Sequence, residues 1–311
     1  MQLVRFTRHV VCVRLRTVIT ALLFVSATTP LRAQTTARGT LYIVGGGPQP
    51  PALVQEFVSL AAAAAPTHSA TIVVFGMASA DGAKGAEDKA KDLRALGATA
   101  IALNITRSEA DVDSIVRSVK SASGVWFIGG DQNKLTAALL GSRTAAAISE
   151  RYRDGAVIGG TSAGAAVMSA VMITGDEKKP GALRRDTSLT LGTIDRENIV
   201  TAPGFGLISN AIIDQHFLRR RRHNRLISLV LEREPHLGIG IDESTAMIVG
   251  PDGRWRIVGA SVAVVYDARH AAVTSPGATL GAQGITMHVL PAGSTFDPKT
   301  GAATLPPAPF D

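Results

Sequence analysis

Short runs of uniformly apolar residues recur through the first half of the chain, each followed by a longer amphipathic stretch. Thr40–Val44 ends in Gly45-Gly46-Gly47-Pro48, Ala70–Phe75 ends at Gly76, and Ala98–Leu103 comes third. Gly124–Ile128 runs into Gly129-Gly130-Asp131-Gln132, and Ala156-Val157-Ile158 into Gly159-Gly160-Thr161-Ser162-Ala163-Gly164. Runs of this length with no polar alternation predict strands buried on both faces. Between them the composition predicts helices over Pro51–Ala65, Ala83–Leu96, Ser108–Ser121 and about Lys134–Tyr152. In the third, Asp111, Ile115 and Val119 recur at helical spacing, with Val112 and Val116 on the apolar side. Strands alternating with helices predict an α/β fold, three-layered, with a mostly parallel sheet and helices on both faces.

The second half is less regular. Asp176–Asn198 is polar and turn-rich, an insertion or lid centred on Lys178–Asn198. Leu207–Ile213 returns to the apolar type and ends in Asp214-Gln215-His216-Phe217; a basic helix is predicted over Leu218–Glu232. Leu237–Ile241 ends in Asp242-Glu243. Thr245–Val249 and Trp255–Val258 flank Gly250-Pro251-Asp252-Gly253, which predicts a C-terminal β-hairpin extension, and Ser261–Tyr266 predicts another strand. One domain is expected over 38–292, followed by a Pro-rich, irregular tail over 293–311.

Residues 1–33 differ from the rest. Arg5, Arg8, Arg14 and Arg16 precede the uncharged apolar stretch Val18–Ala27, and Pro30 and small Ala33 follow. A basic start, a short apolar run and a small-residue exit predict a secretory signal and an exported protein, periplasmic or extracellular. The run is too short for a stable membrane span. This segment holds five arginines and no acidic residue, so the remainder carries 27 basic against 25 acidic residues, a net of +2. The formal +7 of the whole chain is therefore weak support for a nucleic-acid partner. Cys12, the only cysteine, falls in the same segment, so no disulfide, thiol nucleophile or thiolate metal site is expected beyond it.

Gly160-x-Ser162-x-Gly164, after a strand and before helix-forming Ala165-Ala166-Val167-Met168, fits a nucleophile elbow. The turn exposes the serine hydroxyl and leaves nearby amides able to stabilise an oxyanion. A serine needs a base, and the base needs an orienting group. His216 closes a strand and should share a sheet edge with Ser162. His68, His223, His236, His270 and His288 lack that position. Glu243, Asp242 and Asp214 are all strand-end carboxylates, which spacing does not separate. The amides of Gly130 and Ala163 are the oxyanion candidates. Arg219–Arg222 and Arg225 can bind carboxylates through forked guanidinium groups, so an acidic substrate is expected. With aromatics at 5% and none in the arginine run after Phe217, nucleic acid is not expected.

Four stretches together resemble the cyanophycinase family. They are Gly129-Gly130-Asp131-Gln132, Gly160-Thr161-Ser162-Ala163-Gly164-Ala165, Asp214-Gln215-His216-Phe217 with Arg220, Arg222 and Arg225-Leu226, and Gly238-Ile239-Gly240-Ile241-Asp242-Glu243. The family comprises serine exopeptidases related to aspartyl dipeptidase (dipeptidase E), with a fold like class I glutamine amidotransferases. The resemblance runs from about Thr40 to Tyr266. It implies Ser162 as nucleophile, His216 as general base and acid, and Glu243 as orienter. It further implies that Gln132, Asp214, Gln215, Arg220, Arg222 and Arg225 hold substrate. The implied substrate is cyanophycin, a poly-aspartate carrying arginine on its side chains, released as β-Asp-Arg dipeptides. The alternatives are a dipeptidase acting on short α-aspartyl or isoaspartyl peptides, and a binding protein that captures acidic peptide without cleaving it. No cofactor or metal is expected. Oligomeric state is open, with a homodimer among the options.

Overall fold

The computed structural model describes residues 39–178 and 193–308. The expected signal, 1–33, and the middle of the expected insertion, 179–192, lie outside the described residues. Five strands form the parallel part of a nine-stranded sheet: β1 (Thr40–Val44), β2 (Thr71–Phe75), β3 (Thr99–Leu103), β4 (Gly124–Phe127) and β5 (Val157–Thr161). They lie in the order β1-β5-β4-β2-β3, every neighbouring pair parallel. The connecting helices are α1 (Pro51–Ala63), α2 (Gly82–Ala95), α3 (Asp113–Ser121), α4 (Gln132–Leu139) and α5 (Arg143–Arg153).

Successive residues of β1, β2, β4 and β5 enter opposite cores, while the edge strand β3 leaves Thr99 and Ile101 exposed. Tyr42 and Val44 pack with Phe57 of α1, Leu93 of α2 and Trp126. Leu41 and Ile43 share the other core with Val119 of α3, Leu135 of α4 and Ile148 of α5. This double burial is why the strands carry no polar alternation.

Antiparallel strands extend the sheet beyond β1. They are β10 (Thr245–Val249), β11 (Trp255–Gly259), β16 (Thr295–Asp297) and β17 (Ala302–Thr304). A second, four-stranded sheet has the order β15-β12-β9-β8, built from β8 (Ile212–Gln215), β9 (Leu237–Ile241), β12 (Val262–Asp267) and β15 (Thr286–Pro291). Ile213, Ile239 and Ile241 on one face join the core beneath Leu41 and Ile43. The other face, with Ile212 and Val264, packs on Leu226 and Leu229 of α7 (His223–Glu232). Two ribbons complete the described residues: β6 (Val171–Glu177) with β7 (Ile199–Pro203), and β13 (Ala272–Thr274) with β14 (Gly281–Gln283).

Four expectations need correction. The single helix over Lys134–Tyr152 is two helices, because Gly141 adopts φ 73° and Ser142 caps α5 by accepting from the Ala145 amide. The predicted Ser108–Ser121 helix is a one-turn 3-10 segment, Glu109–Asp111, then α3, with Val112 extended between them. The basic helix starts at His223, and Leu218–Arg222 form a turn with Arg221 at φ 52°. Finally, 293–311 is not irregular throughout. Thr295 and Phe296 pair with β11, and buried Phe296 lies 5.1 Å from the Trp255 ring. Its prolines at 298, 306 and 307 fall outside the strands, where a missing N–H costs no ladder bond.

Candidate active site

The nucleophile candidate comes from the large sheet. β5 ends at Thr161, Ser162 turns the chain at φ 54° and ψ −110°, and α6 (Ala163–Ala166) begins at once. The backbone doubles back so tightly that a Cβ on Gly160 would lie 2.5 Å from the Gly164 carbonyl oxygen, and α6 packs so close to β4 that one on Gly164 would lie 2.2 Å from the Phe127 carbonyl oxygen. Left-handed backbone at a serine stores roughly 1–3 kcal/mol of strain, which the packed surroundings must hold. The turn leaves Ser162 partly exposed, although Thr161 and Ala163 beside it are buried.

The base candidate comes from the other sheet, which corrects the expectation of one shared sheet edge. β8 and β9 run parallel with Gln215 opposite Ile241, so His216 and Asp242-Glu243 emerge side by side. Nε2 of His216 lies 2.8 Å from Ser162 Oγ, and Nδ1 lies 2.6 Å from Glu243 Oε1. A neutral imidazole protonated at Nδ1 donates to Glu243 and accepts from the serine hydroxyl. Burial lowers the His216 pKa below its ordinary 6.5; the Glu243 hydrogen bond pushes it up, and the nearby cations Arg220 and Arg222 push it further down. The net shift favours the neutral imidazole, the form able to accept a proton.

One loop ties the two sheets together at this point. The amide of Ser162 donates to Val44 O at 3.1 Å, that of His216 to Gly45 O at 2.6 Å, and that of Ser244 to Gly46 O at 2.9 Å. A Cβ on Gly46 would lie 2.3 Å from the His216 ring, and one on Gly47 would lie 2.7 Å from Glu243 Cβ. Gly46 and Gly47 thus form a floor on which the His216 and Glu243 side chains rest. The sequence shows these glycines as a strand-end turn at the rim of the site, without showing what rests on them. Three in a row where one suffices for a turn is the signal that something packs against that backbone.

The three carboxylates separate by contact. Glu243 holds His216. Asp242 points away, accepting the amides of Leu218 and Arg219 and the hydroxyl of Ser261. Asp214 is fully buried and accepts Arg225 Nε at 2.7 Å and a second Arg225 nitrogen. Beside the nucleophile, the backbone of Gly129 approaches so closely that a Cβ there would lie 3.3 Å from Ser162 Cβ. Exposed Gly130 follows at φ 140°, and Ala163 opens α6, where a helix has amides without intrahelical acceptors.

The side chains that the resemblance implies for substrate divide in two. Arg220 is exposed on the turn next to His216, flanked by exposed Arg219 and Arg221. The rest are turned inward. Asp214 and Arg225 are paired with each other, with Arg222 Nη1 3.7 Å from the same carboxylate. Arg222 donates to the Gln215 carbonyl at 2.7 Å and to its side-chain oxygen; burial and the neighbouring Arg225 bring its pKa down to about 10, still a cation at neutral pH. Gln132 donates Nε2 to the carbonyls of Ile173 and Thr174, at 2.8 and 2.5 Å. Direct substrate contact by Asp214 or Arg225 would require opening this buried ion pair.

The sequence profile described as Peptidase family S51 matches residues 61–256. Two curated proteins named cyanophycinase are similar. The one from Nostoc sp. (strain PCC 7120) is 36% identical over 162 residues, covering 52% of this chain and 50% of that protein. The one from Geminocystis herdmanii (strain PCC 6308) is 31% identical over 188 residues, covering 58% and 65%. The chain thus spans about half to two thirds of the length of these relatives. The crystal structure of a peptidase from an acI-B1 Actinobacterium superposes with a TM-score of 0.61 at 22% identity, covering 85% of this chain and 98% of that one, a likeness in fold. The profile match takes in more than half of the chain, including the Ser162 elbow and the His216–Glu243 pair; the chain belongs to peptidase family S51.

Proposed function

We propose that this protein is a serine exopeptidase that hydrolyses cyanophycin to β-Asp-Arg dipeptides through an acyl-enzyme. The observation that carries the reading is the unbroken series Ser162 Oγ, His216 Nε2, His216 Nδ1 and Glu243 Oε1, with contacts of 2.8 and 2.6 Å. Ser162 Oγ attacks the scissile carbonyl and its proton passes to His216 Nε2. Glu243 steadies the imidazolium through Nδ1. The amides of Gly130 and Ala163 receive the oxyanion. The leaving amine takes the proton from Nε2, and water, deprotonated by the same nitrogen, then releases the acyl group.

The substrate class rests on the similarity to cyanophycinases and on the exposed Arg219–Arg221 turn beside the base. Arginines attached to the polymer through their amino groups keep free carboxylates, which guanidinium forks bind bidentately. Export is part of the proposal and rests on the basic, then apolar, pattern of residues 1–33. The architecture, with its nucleophile on a strand–helix elbow, suits the proposed kinship with class I glutamine amidotransferases.

The test is incubation with insoluble cyanophycin, with Ser162→Ala as control, and mass analysis of the soluble products. Release of β-Asp-Arg by the wild type alone is the expected result. Cleavage of short aspartyl peptides without release from polymer would overturn the substrate and keep the mechanism. Undiminished release by Ser162→Ala would overturn the mechanism.

A further inference from the structure

Asp242 is adjacent to the orienting carboxylate yet takes no part in the series of contacts from Ser162 to Glu243. Its contacts give it another task. The segment 216–222 carries the base, the exposed arginines and buried Arg222, and it forms neither strand nor helix. The amide of His216 donates to Gly45 O, and that of Phe217 to Ile241 O. The amides of Arg220, Arg221 and Arg222 return to the carbonyls of His216, Leu218 and Phe217. The two in the middle, Leu218 and Arg219, converge on one oxygen of Asp242, at 3.1 and 3.0 Å.

The other Asp242 oxygen accepts the Ser261 hydroxyl at 2.8 Å, and the Asp242 amide donates to Val262 O at 3.2 Å. The carboxylate is therefore fixed from the β12 side while it holds the turn. His216 and Arg221, at φ 49° and 52°, both stand in left-handed backbone within this segment. Such conformations persist only where the surroundings over-determine them. A charge-assisted acceptor of two amides is a strong restraint of that kind.

We infer that Asp242 is a positioning residue for the proposed serine chemistry: its carboxylate holds the turn that begins at His216, and so fixes the imidazole between Ser162 and Glu243. Adjacent Asp242 and Glu243 thus divide the work, one gripping the backbone of the base and the other its ring. The inference rests on the serine-hydrolase reading, though not on the identity of the substrate.

The test measures covalent labelling of Ser162 by an uncharged alkyl fluorophosphonate, in which Oγ replaces fluoride at phosphorus and gives up its proton. The wild type, Ser162→Ala, Asp242→Ala and Asp242→Asn are compared in the full chain, each with its melting temperature. Labelling of the wild type and not of Ser162→Ala establishes the nucleophile independently. Absence of labelling in the wild type would overturn the serine reading and this inference with it. With the nucleophile established, Asp242→Ala should lower the maximal labelling rate about 10²-fold, as misplacement of a catalytic group by an ångström does. The probe's apparent affinity should stay unchanged. Asp242→Asn keeps an oxygen for the two amides, and the Ser261 hydroxyl can rotate to accept from the new amide group, so it should recover most of the rate. Wild-type labelling by a folded Asp242→Ala, or an Asp242→Asn as slow as it, would overturn the inference. If Asp242→Ala does not fold, Ser261→Ala removes one anchor of the carboxylate. Severalfold slower labelling would support the inference, and labelling at the wild-type rate would overturn it.

Discussion

Gly46 lies against the imidazole of His216 so closely that a methyl group on its Cα would sit 2.3 Å from the ring. The obstructed atoms include Nε2, the nitrogen that contacts Ser162, which is itself 2.4 Å from that position. Gly46 also holds φ 104°, which a side chain rarely adopts. Gly46→Ala should therefore displace the ring from Ser162 and lower kcat by about 10²-fold. Steady-state kinetics on a soluble aspartyl peptide, beside a circular dichroism spectrum showing retained fold, check it. Unchanged kcat would mean that the ring has room to move without consequence.

The pH dependence has a definite sign. The proposed mechanism needs neutral His216, and burial lowers its pKa, so the ring stays unprotonated further into acid than an ordinary imidazole. The acid limb of kcat/KM, which reports the free enzyme, should have its midpoint below 6.5. Glu243→Gln removes a charge that raises the His216 pKa, so its acid limb should move lower still while kcat falls by about 10²–10⁴-fold. A limb that moves upward in Glu243→Gln would contradict the assigned contact.

The parallel strands were legible because each is apolar on both faces, and the elbow because Gly160 and Gly164 bracket Ser162 in a strand–turn–helix context. His216 and Glu243 could be singled out as strand ends, but spacing does not say that their strands form a second sheet. That follows from the antiparallel pairing of β12 with β9 and of β10 with β1, contacts made across long separations. The same non-locality hid the arginine turn. Residues 218–222 have helical composition, and only Asp242, more than twenty positions away, withdraws two of their amides. Gly141-Ser142 was a local signal for the break between α4 and α5, since a left-handed glycine followed by a capping serine ends one helix and starts another.

Gln132 stands at the start of α4, and its side-chain amide nitrogen binds the carbonyls of Ile173 and Thr174. Its effect should be on the β6–β7 ribbon first. Gln132→Ala leaves a buried carbonyl without its donor, at a cost of about 1–3 kcal/mol. Hydrogen exchange should quicken over 171–177 while the β1–β5 amides keep their protection. Uniformly faster exchange would instead mean that the contact supports the whole fold.

Asp214 and Arg225 test whether a buried ion pair is structure or substrate site. Asp214 is fully buried, and Arg225 is 3% exposed, with Nε 2.7 Å from Asp214 Oδ2. Both belong to the packing between β8 and α7. Arg225→Met would leave the buried carboxylate with Arg222 Nη1, 3.7 Å away, as its cation partner, and should still cost about 3 kcal/mol of stability, since both direct Arg225 hydrogen bonds are lost. The double variant Asp214→Leu/Arg225→Met removes both charges but leaves buried Arg222 without its carboxylate, so it should recover only part of that loss. Urea denaturation of the single and double variants measures the two numbers. Kinetics supply the contrast, because Arg220→Ala, on the exposed turn, should raise KM for a carboxylate-bearing substrate with little change in the denaturation midpoint. If Arg225→Met left stability intact and raised KM instead, Arg225 would be holding substrate after all, and the ion pair would have to open when substrate binds.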